Sequence, residues 1–374
     1  MASVLILSAS TGQGHNQAAN CLKNELETSG HTVTIVEPLK EEGRVMDLLI
    51  DDGYNILATK LPKMYGKLYK ISGYKFVNKG VVTFLNFTLS RTVYQLIREH
   101  QPKLLFTTHP LLVNVVSFLK ASRRINLPLI AIVTDYMAHR FYVNQYVDAY
   151  IVGSNYTKDT LTEKGVSEKK IFPYGIPISK EFRQPRNTNR DKTFTLLLMG
   201  GSMGISYIKN CLKALVHNPH DFKINVVCGN NHKLKKELEE KYSGSVNGKQ
   251  IQIFGFTKNI PELMDQSDVI VTKPGGLTVT EAINKNIPII IPFFIPGQEE
   301  ENTEILVKAG VAVSVSNIIQ LNQAVSRLYE NPALLEEMRL KAQEISNGLS
   351  PDSIVQLSDR LIYGFDLDRI SQNA

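Results

Sequence analysis

The strongest constraint on this 374-residue chain is a pattern that runs twice. In the first half, the short apolar runs VLILS, VTIVE, LLFTT, LIAIVTD and AYIVGS alternate with helical patterns, the first from about His15 to Thr28. Strands that stay apolar along their length are buried on both faces, and strands separated by helices pair in parallel. A polar stretch without periodicity, SKEFRQPRNTNRDK, then interrupts the pattern. It restarts with TFTLLLMG, INVVCG, IQIFGF, DVIVTK, PIIIPFF and VAVSV, again separated by helical segments. The expected fold class is α/β, with two Rossmann-like domains facing across a cleft. The N-terminal domain should occupy residues 1–180, the C-terminal domain 190–350, and a C-terminal helix at 351–374 should pack back on the first. In doubly wound folds, ligands bind beyond the carboxyl ends of the strands, so chemistry is sought in the loops there.

A chain of this length is long for one core, which agrees with two domains. Its 43% apolar and 21% charged residues suit a globular protein, and no apolar run approaches a bilayer span. The opening MASVLILSAS reads as a first strand rather than a signal peptide, so a cytoplasmic location is expected. Cys21, Cys211 and Cys228 are widely spaced, without metal-type pairing or a disulfide framework, and are expected to be inert core residues.

Two strands end in glycine loops. Gly12 and Gly14 follow the first strand in LILSASTGQGHNQAA, with a helix opening at His15, and Gly200, Gly201 and Gly204 follow the first strand of the second half in LLLMGGSMGIS. Glycine lets backbone approach a ligand, and a helix N-terminus offers unpaired N–H groups to an anion, so a pair of such loops suggests a diphosphate. The first loop lacks the third glycine of the dinucleotide fingerprint, and Glu37 is a loose match to its ribose-binding acid. In VIVTKPGGLTVTEA, Gly275 and Gly276 end a strand and precede a helix carrying Glu281, whose carboxylate suits the two hydroxyls of a ribose. Gln298 and Glu299 follow a Pro-Gly turn in PFFIPGQEEEN and are candidates for sugar hydroxyls. His15 is the leading candidate for a general base, Asp135 its rival, and His109 in TTHP is read as lining.

The motifs SASTGQGH, VTDY, GGSMG, GFTKNIPELM, KPGGLTVTEA and PGQEEEN, in this order, resemble the family of processive diacylglycerol glucosyltransferases and monogalactosyldiacylglycerol synthases. The resemblance covers nearly the whole chain and implies the GT-B arrangement, inversion at the anomeric carbon, no metal in the active site and no cofactor beyond the UDP-sugar donor. It implies that Glu281 holds the uridine ribose and that Gln298 and Glu299 bind the donor hexose. Gly255 and Phe256 would border the uracil, with Gly14, Gly201, Ser202 and Gly204 near the diphosphate and His15 as the base. Where relatives carry Trp shortly after TDY, this Trp-free chain has Phe141 and Tyr142, so the acceptor side departs from the family pattern there.

The net charge of +6 is local: Gly53 to Arg98 holds six lysines, two arginines and no acidic residue. On a helix, Leu61, Met64, Tyr65, Leu68 and Ile71 share an arc, with Lys60, Lys63, Lys67 and Lys70 beside it. Apolar residues flanked by lysines suit a helix lying in a headgroup layer, so an anionic membrane surface is the expected partner. No nucleic-acid signature accompanies the patch, and nucleic acid is not expected. The expected activity is transfer of a hexose, glucose by the resemblance, from a UDP-sugar to diacylglycerol by a peripheral enzyme on the cytoplasmic face. The alternatives are N-acetylglucosamine transfer to another lipid-linked acceptor, a UDP-sugar epimerase, and a non-catalytic sensor of UDP-sugar.

Overall fold

The structure is a computed structural model that describes residues 1–10, 13–41, 64, 66, 75–186, 191–200, 205–242 and 244–372. Gly12, Gly201, Ser202, Gly204, Lys60, Lys63, Tyr65, Lys67, Leu68 and Lys70 lie outside the described residues. The chain divides into two compact units. The first comprises Met1–Ile178, Pro296–Gln298 and Gly348–Ala374, and the second Ser179–Ile295 and Glu299–Asn347.

Six described strands form the sheet of the first unit: β1 (Ser3–Leu7), β2 (Thr32–Val36), β3 (Leu104–Thr107), β4 (Leu129–Ile132), β5 (Ala149–Ile151) and β6 (Ile171–Phe172). Their order is β2-β1-β3-β4-β5-β6, and every pairing is parallel. Alternation along each strand sends side chains to two cores. Leu5, Leu7, Leu105, Leu129 and Ala131 belong to one, and Val4, Ile6, Phe106, Ile130 and Ile132 to the other. This two-faced burial is why the strands read as continuous apolar runs. The helix Gln13–Thr28 buries Ala18, Ala19, Leu22 and Leu26, one stripe at helical spacing. It stops at Gly30, whose φ of +90° closes the last turn through a bond from the His31 N–H to the Leu26 carbonyl. The C-terminal helix Pro351–Gln372 contributes Ile354, Leu357 and Ile362 to the second of these cores.

In the second unit the described strands are β7 (Thr195–Met199), β8 (Lys223–Val227), β9 (Gly244–Val246), β10 (Lys249–Phe254), β11 (Val269–Val271), β12 (Ile289–Ile291) and β13 (Ala312–Ser314). The order is β13-β12-β11-β7-β8-β10-β9, parallel except for the hairpin strand β9. Both sheets reverse direction of growth beside their first strand, between β1 and β3 and between β7 and β11. Loops diverge at such a switch point and leave a crevice at the strand carboxyl ends.

Candidate active site

In the first unit, Ser8 follows β1, Thr108 and His109 follow β3, and Thr134 and Asp135 follow β4, all at the carboxyl edge of the sheet. His15 reaches into this edge from the first turn of its helix, its ring half-buried. Its Nδ1 lies 2.7 Å from the Thr108 carbonyl oxygen and 3.1 Å from Thr134 Oγ1. A carbonyl has no proton to give, so Nδ1 carries the hydrogen and Nε2 keeps its lone pair. Burial pushes the imidazole pKa down to about 4 against the raising effect of the Thr108 bond. The ring is therefore neutral near pH 7, with its basic nitrogen on Nε2. Gly14, one residue before, has no neighbour within 4 Å of where a Cβ would stand.

His109 is 6% exposed, and its ring meets that of His15 edge-on at 4.7 Å between centroids. Its Nδ1 accepts from the Leu111 N–H, capping the helix Pro110–Ala121. Desolvation, followed by proximity to His15, holds its pKa well below the ordinary value. It packs against the candidate base and starts a helix. Ser8 Oγ donates to Asn16 Oδ1 at 2.5 Å and accepts from Thr108 Oγ1 at 3.0 Å. Glu37, the loose dinucleotide-type acid, accepts from Ser10 and from Lys40, the latter at 2.9 Å. Asp135 is buried and accepts from the side-chain amide of Gln298, which closes the short segment Pro296–Gln298 grouped with the first unit. The rival base is thus bonded to the residue the sequence marked for sugar. Of the two aromatics that stand where relatives carry Trp, Tyr142 is fully buried and Phe141 is half-buried.

In the second unit, Gly200 is buried at the end of β7, directly before the undescribed glycine loop. Gly275 caps the helix Gly276–Asn284 with ordinary extended dihedrals and no side-chain cap, and a Cβ on it would meet nothing within 4 Å. The first-turn N–H groups of that helix are not taken by a capping side chain. Glu281, in its second turn, is half-buried and makes no side-chain hydrogen bond or ion pair among the described residues. Burial raises its pKa to about 8. Phe256, just beyond β10, is 67% exposed, an apolar ring held in solvent beside Gly255.

Glu299 behaves otherwise than its place beside Gln298 suggested. Its carboxylate is turned inward, 2.6 Å from Lys273 Nζ and accepting from the Ile295 N–H at 2.9 Å. With Asn302 Nδ2 donating to the Pro274 carbonyl at 3.1 Å, this ties the KPGG loop to the helix Gln298–Lys308. Both oxygens of Glu299 are therefore occupied by protein, which makes it a brace for the loop. Sequence reasoning overlooked Lys273 and Thr134, which lie inside the motifs KPGG and VTDY but have partners far off in the chain.

Cys21, Cys211 and Cys228 are buried and form no disulfide among the described residues, with burial pushing the Cys211 and Cys228 thiols up to about 11. No cluster of metal-binding side chains occurs among the described residues, and no described helix is long and apolar enough to cross a membrane.

Residues 15–178 match the family model of monogalactosyldiacylglycerol synthase, and residues 195–350 match that of the glycosyltransferase family 28 C-terminal domain. Among curated relatives, a processive diacylglycerol beta-glucosyltransferase of Bacillus licheniformis is 28% identical over 355 residues, covering 92% of this chain and 91% of the relative. The Bacillus subtilis protein of the same name is 27% identical over 362 residues, covering 94% of both. In fold, the chain is similar to Acinetobacter baumannii MurG, with a TM-score of 0.65 at 16% identity, covering 96% of this chain and 99% of that one. With both halves matched by family models, relatives aligned along nearly its full length, and two parallel-sheet units with reversed strand order, the chain is an enzyme of glycosyltransferase family 28, of the monogalactosyldiacylglycerol synthase type and the GT-B fold.

Proposed function

We propose that the protein moves a hexose, glucose, from a UDP-sugar to the free hydroxyl of 1,2-diacylglycerol with inversion, and adds further sugars to its own product. The observation that carries the reading is His15, a neutral imidazole whose Nδ1 hydrogen is committed to Thr108 and whose Nε2 can accept a proton. Nε2 takes the acceptor hydroxyl proton while that oxygen forms a bond to C1 of the sugar. The bond from C1 to the β-phosphate oxygen breaks, and UDP leaves with the electron pair. N–H groups at the start of the helix Gly276–Asn284, with the amides of Gly14, Gly201, Ser202 and Gly204, are assigned to the developing negative charge, and no cofactor is invoked. Glu281 is assigned to the ribose, whose hydroxyls supply the partners its carboxyl lacks, and Gly255 with exposed Phe256 to the uracil. Gln298 is assigned to the hexose, with Glu299 holding its loop in place.

The acceptor assignment rests on the names of the relatives aligned over most of both chains. The Lys60–Gly80 stretch is proposed to dock the enzyme on an anionic membrane, at the cytoplasmic face where nucleotide sugars are made. The test is to incubate the purified full chain with UDP-glucose, UDP-galactose or UDP-N-acetylglucosamine and diacylglycerol in vesicles, and to weigh the lipid products. Mono- and dihexosyl diacylglycerol from UDP-glucose are expected. An N-acetylhexosaminyl lipid alone, or donor consumed without a lipid product, would overturn the assignment.

A further inference from the structure

Resting on the reading of His15 as base, we propose that Thr134 and Tyr142 are positioning residues that hold His15 in the tautomer protonated on Nδ1. Neither is assigned to substrate; they act through the ring. Three oxygens surround its Nδ1 edge. The Thr108 carbonyl lies at 2.7 Å and Thr134 Oγ1 at 3.1 Å, with the Tyr142 hydroxyl behind them, 3.3 Å from the same carbonyl and 3.4 Å from Thr134 Oγ1.

The proton count in this triangle has one self-consistent solution. The Tyr142 hydroxyl donates to the Thr108 carbonyl, which leaves the phenol oxygen as an acceptor. The Thr134 proton then points at Tyr142, and the Thr134 lone pairs face Nδ1. The competing tautomer would set a bare Nδ1 lone pair against both the Thr108 carbonyl oxygen and the Thr134 lone pairs, which in the Nδ1-protonated ring accept its hydrogen. Tyr142, its own proton given to Thr108, accepts the Thr134 proton and so keeps the Thr134 lone pairs turned to the ring. Tyr142 keeps its own proton, because burial and the neighbouring Asp135 charge both push its ionisation upward. The other titratable group against the ring is His109, whose Nδ1 is occupied as the acceptor of the Leu111 N–H. When Nε2 takes the acceptor proton, the imidazolium charge spreads to the Nδ1 hydrogen, which both oxygens then accept.

The experiment uses the full chain with 15N-labelled histidine, the His15 ring signals being assigned by their loss in His15→Gln. The wild type is expected to show a protonated Nδ1 and an unprotonated Nε2. Thr134→Val and Tyr142→Phe should each shift the ring toward the Nε2-protonated form. Each should also lower kcat by roughly tenfold, the scale of a hydrogen bond to a group that becomes charged, with KM for the UDP-sugar unchanged. Thr134→Ser, which restores the hydroxyl, should restore both readouts. Wild-type ring shifts and kcat in Thr134→Val would overturn the proposal, as would Thr134→Ser behaving like Thr134→Val; this pair decides even if Tyr142→Phe fails to fold. The base reading fails separately, if His15→Gln retains wild-type kcat. The ring shifts then still decide whether Thr134 and Tyr142 set the tautomer.

Discussion

Lys273 Nζ and Glu299 Oε1 are 2.6 Å apart, an ion pair in which the carboxylate is 8% exposed and the ammonium 19%. Removing one partner of such a pair leaves the other charge poorly solvated. Glu299→Ala is therefore expected to cost about 3 kcal/mol of stability, seen as a lower thermal unfolding midpoint, with donor affinity reduced only as the loop loosens. The double variant Lys273→Met/Glu299→Leu should recover much of the midpoint. A Glu299→Ala protein with an unchanged midpoint and lost donor binding would mean that Glu299 contacts the sugar directly.

His15→Ala should lower turnover by roughly 10² to 10⁴ while leaving affinity for UDP nearly intact. In the wild type the acid limb of kcat should fall near pH 4, where the desolvated imidazole charges, and not near the ordinary histidine value. The same depression fixes a stability sign. Between about pH 6.5 and 4 the unfolded chain takes up a proton at this position and the native chain does not, so stability falls as pH drops through that window. His15→Gln should flatten that slope, by at most about 3 kcal/mol, in denaturant titrations over that range.

Glu281 gives the opposite sign. Its pKa is raised to about 8, so its contribution is intact below the unfolded value of 4.5 and is lost as pH rises toward 8. Glu281→Gln should therefore be more stable than wild type at pH 9 and alike at pH 4. Binding of UDP through the ionised carboxylate should release a proton at pH 7, measured by calorimetry in buffers of different ionisation enthalpy. Proton release that persists in Glu281→Gln would place the linked group elsewhere.

Changing Lys63, Lys67 and Lys70 to Glu reverses three charges in the acid-free stretch. Each basic residue near an anionic leaflet contributes about 1 kcal/mol, screened by salt. The triple variant should lose most of its co-sedimentation with anionic vesicles at low salt and keep its affinity for UDP. Vesicle binding like that of wild type across a salt series would leave this stretch as an ordinary solvated surface.

Much of the fold was legible because burial on both faces of a parallel sheet writes itself into the chain as VLIL or IVTD, and strand-helix alternation does the rest. The positions beyond strand ends were legible for the same reason: a glycine loop after an apolar run is a local signal, and Gly275 stands where it placed it, while the first helix opens at Gln13, two residues before His15, and takes in Gly14. Direction was not. Gln298 and Glu299 are neighbours at a helix start, where successive side chains point about 100° apart, so one reaches Asp135 while the other turns in to Lys273. Tyr142 took the place of an acceptor-side aromatic in the motif, yet its hydroxyl finds acceptors on Thr108 and Thr134 and the ring is drawn into the core. Such choices depend on partners many residues away, which periodicity does not carry.

The helix Pro351–Gln372 completes a core that begins at Ala2, so the first unit is assembled from the opening and the closing stretches of the chain. On a ribosome, its opening strands emerge long before the segment that covers Val4, Ile6 and Leu104 on that face. The second unit lies wholly within that interval and can finish folding while the first still exposes apolar surface. Completion of the first unit therefore waits on a segment made after the whole of the second, and a chaperone acting on the nascent chain would find its binding surface on the part made first.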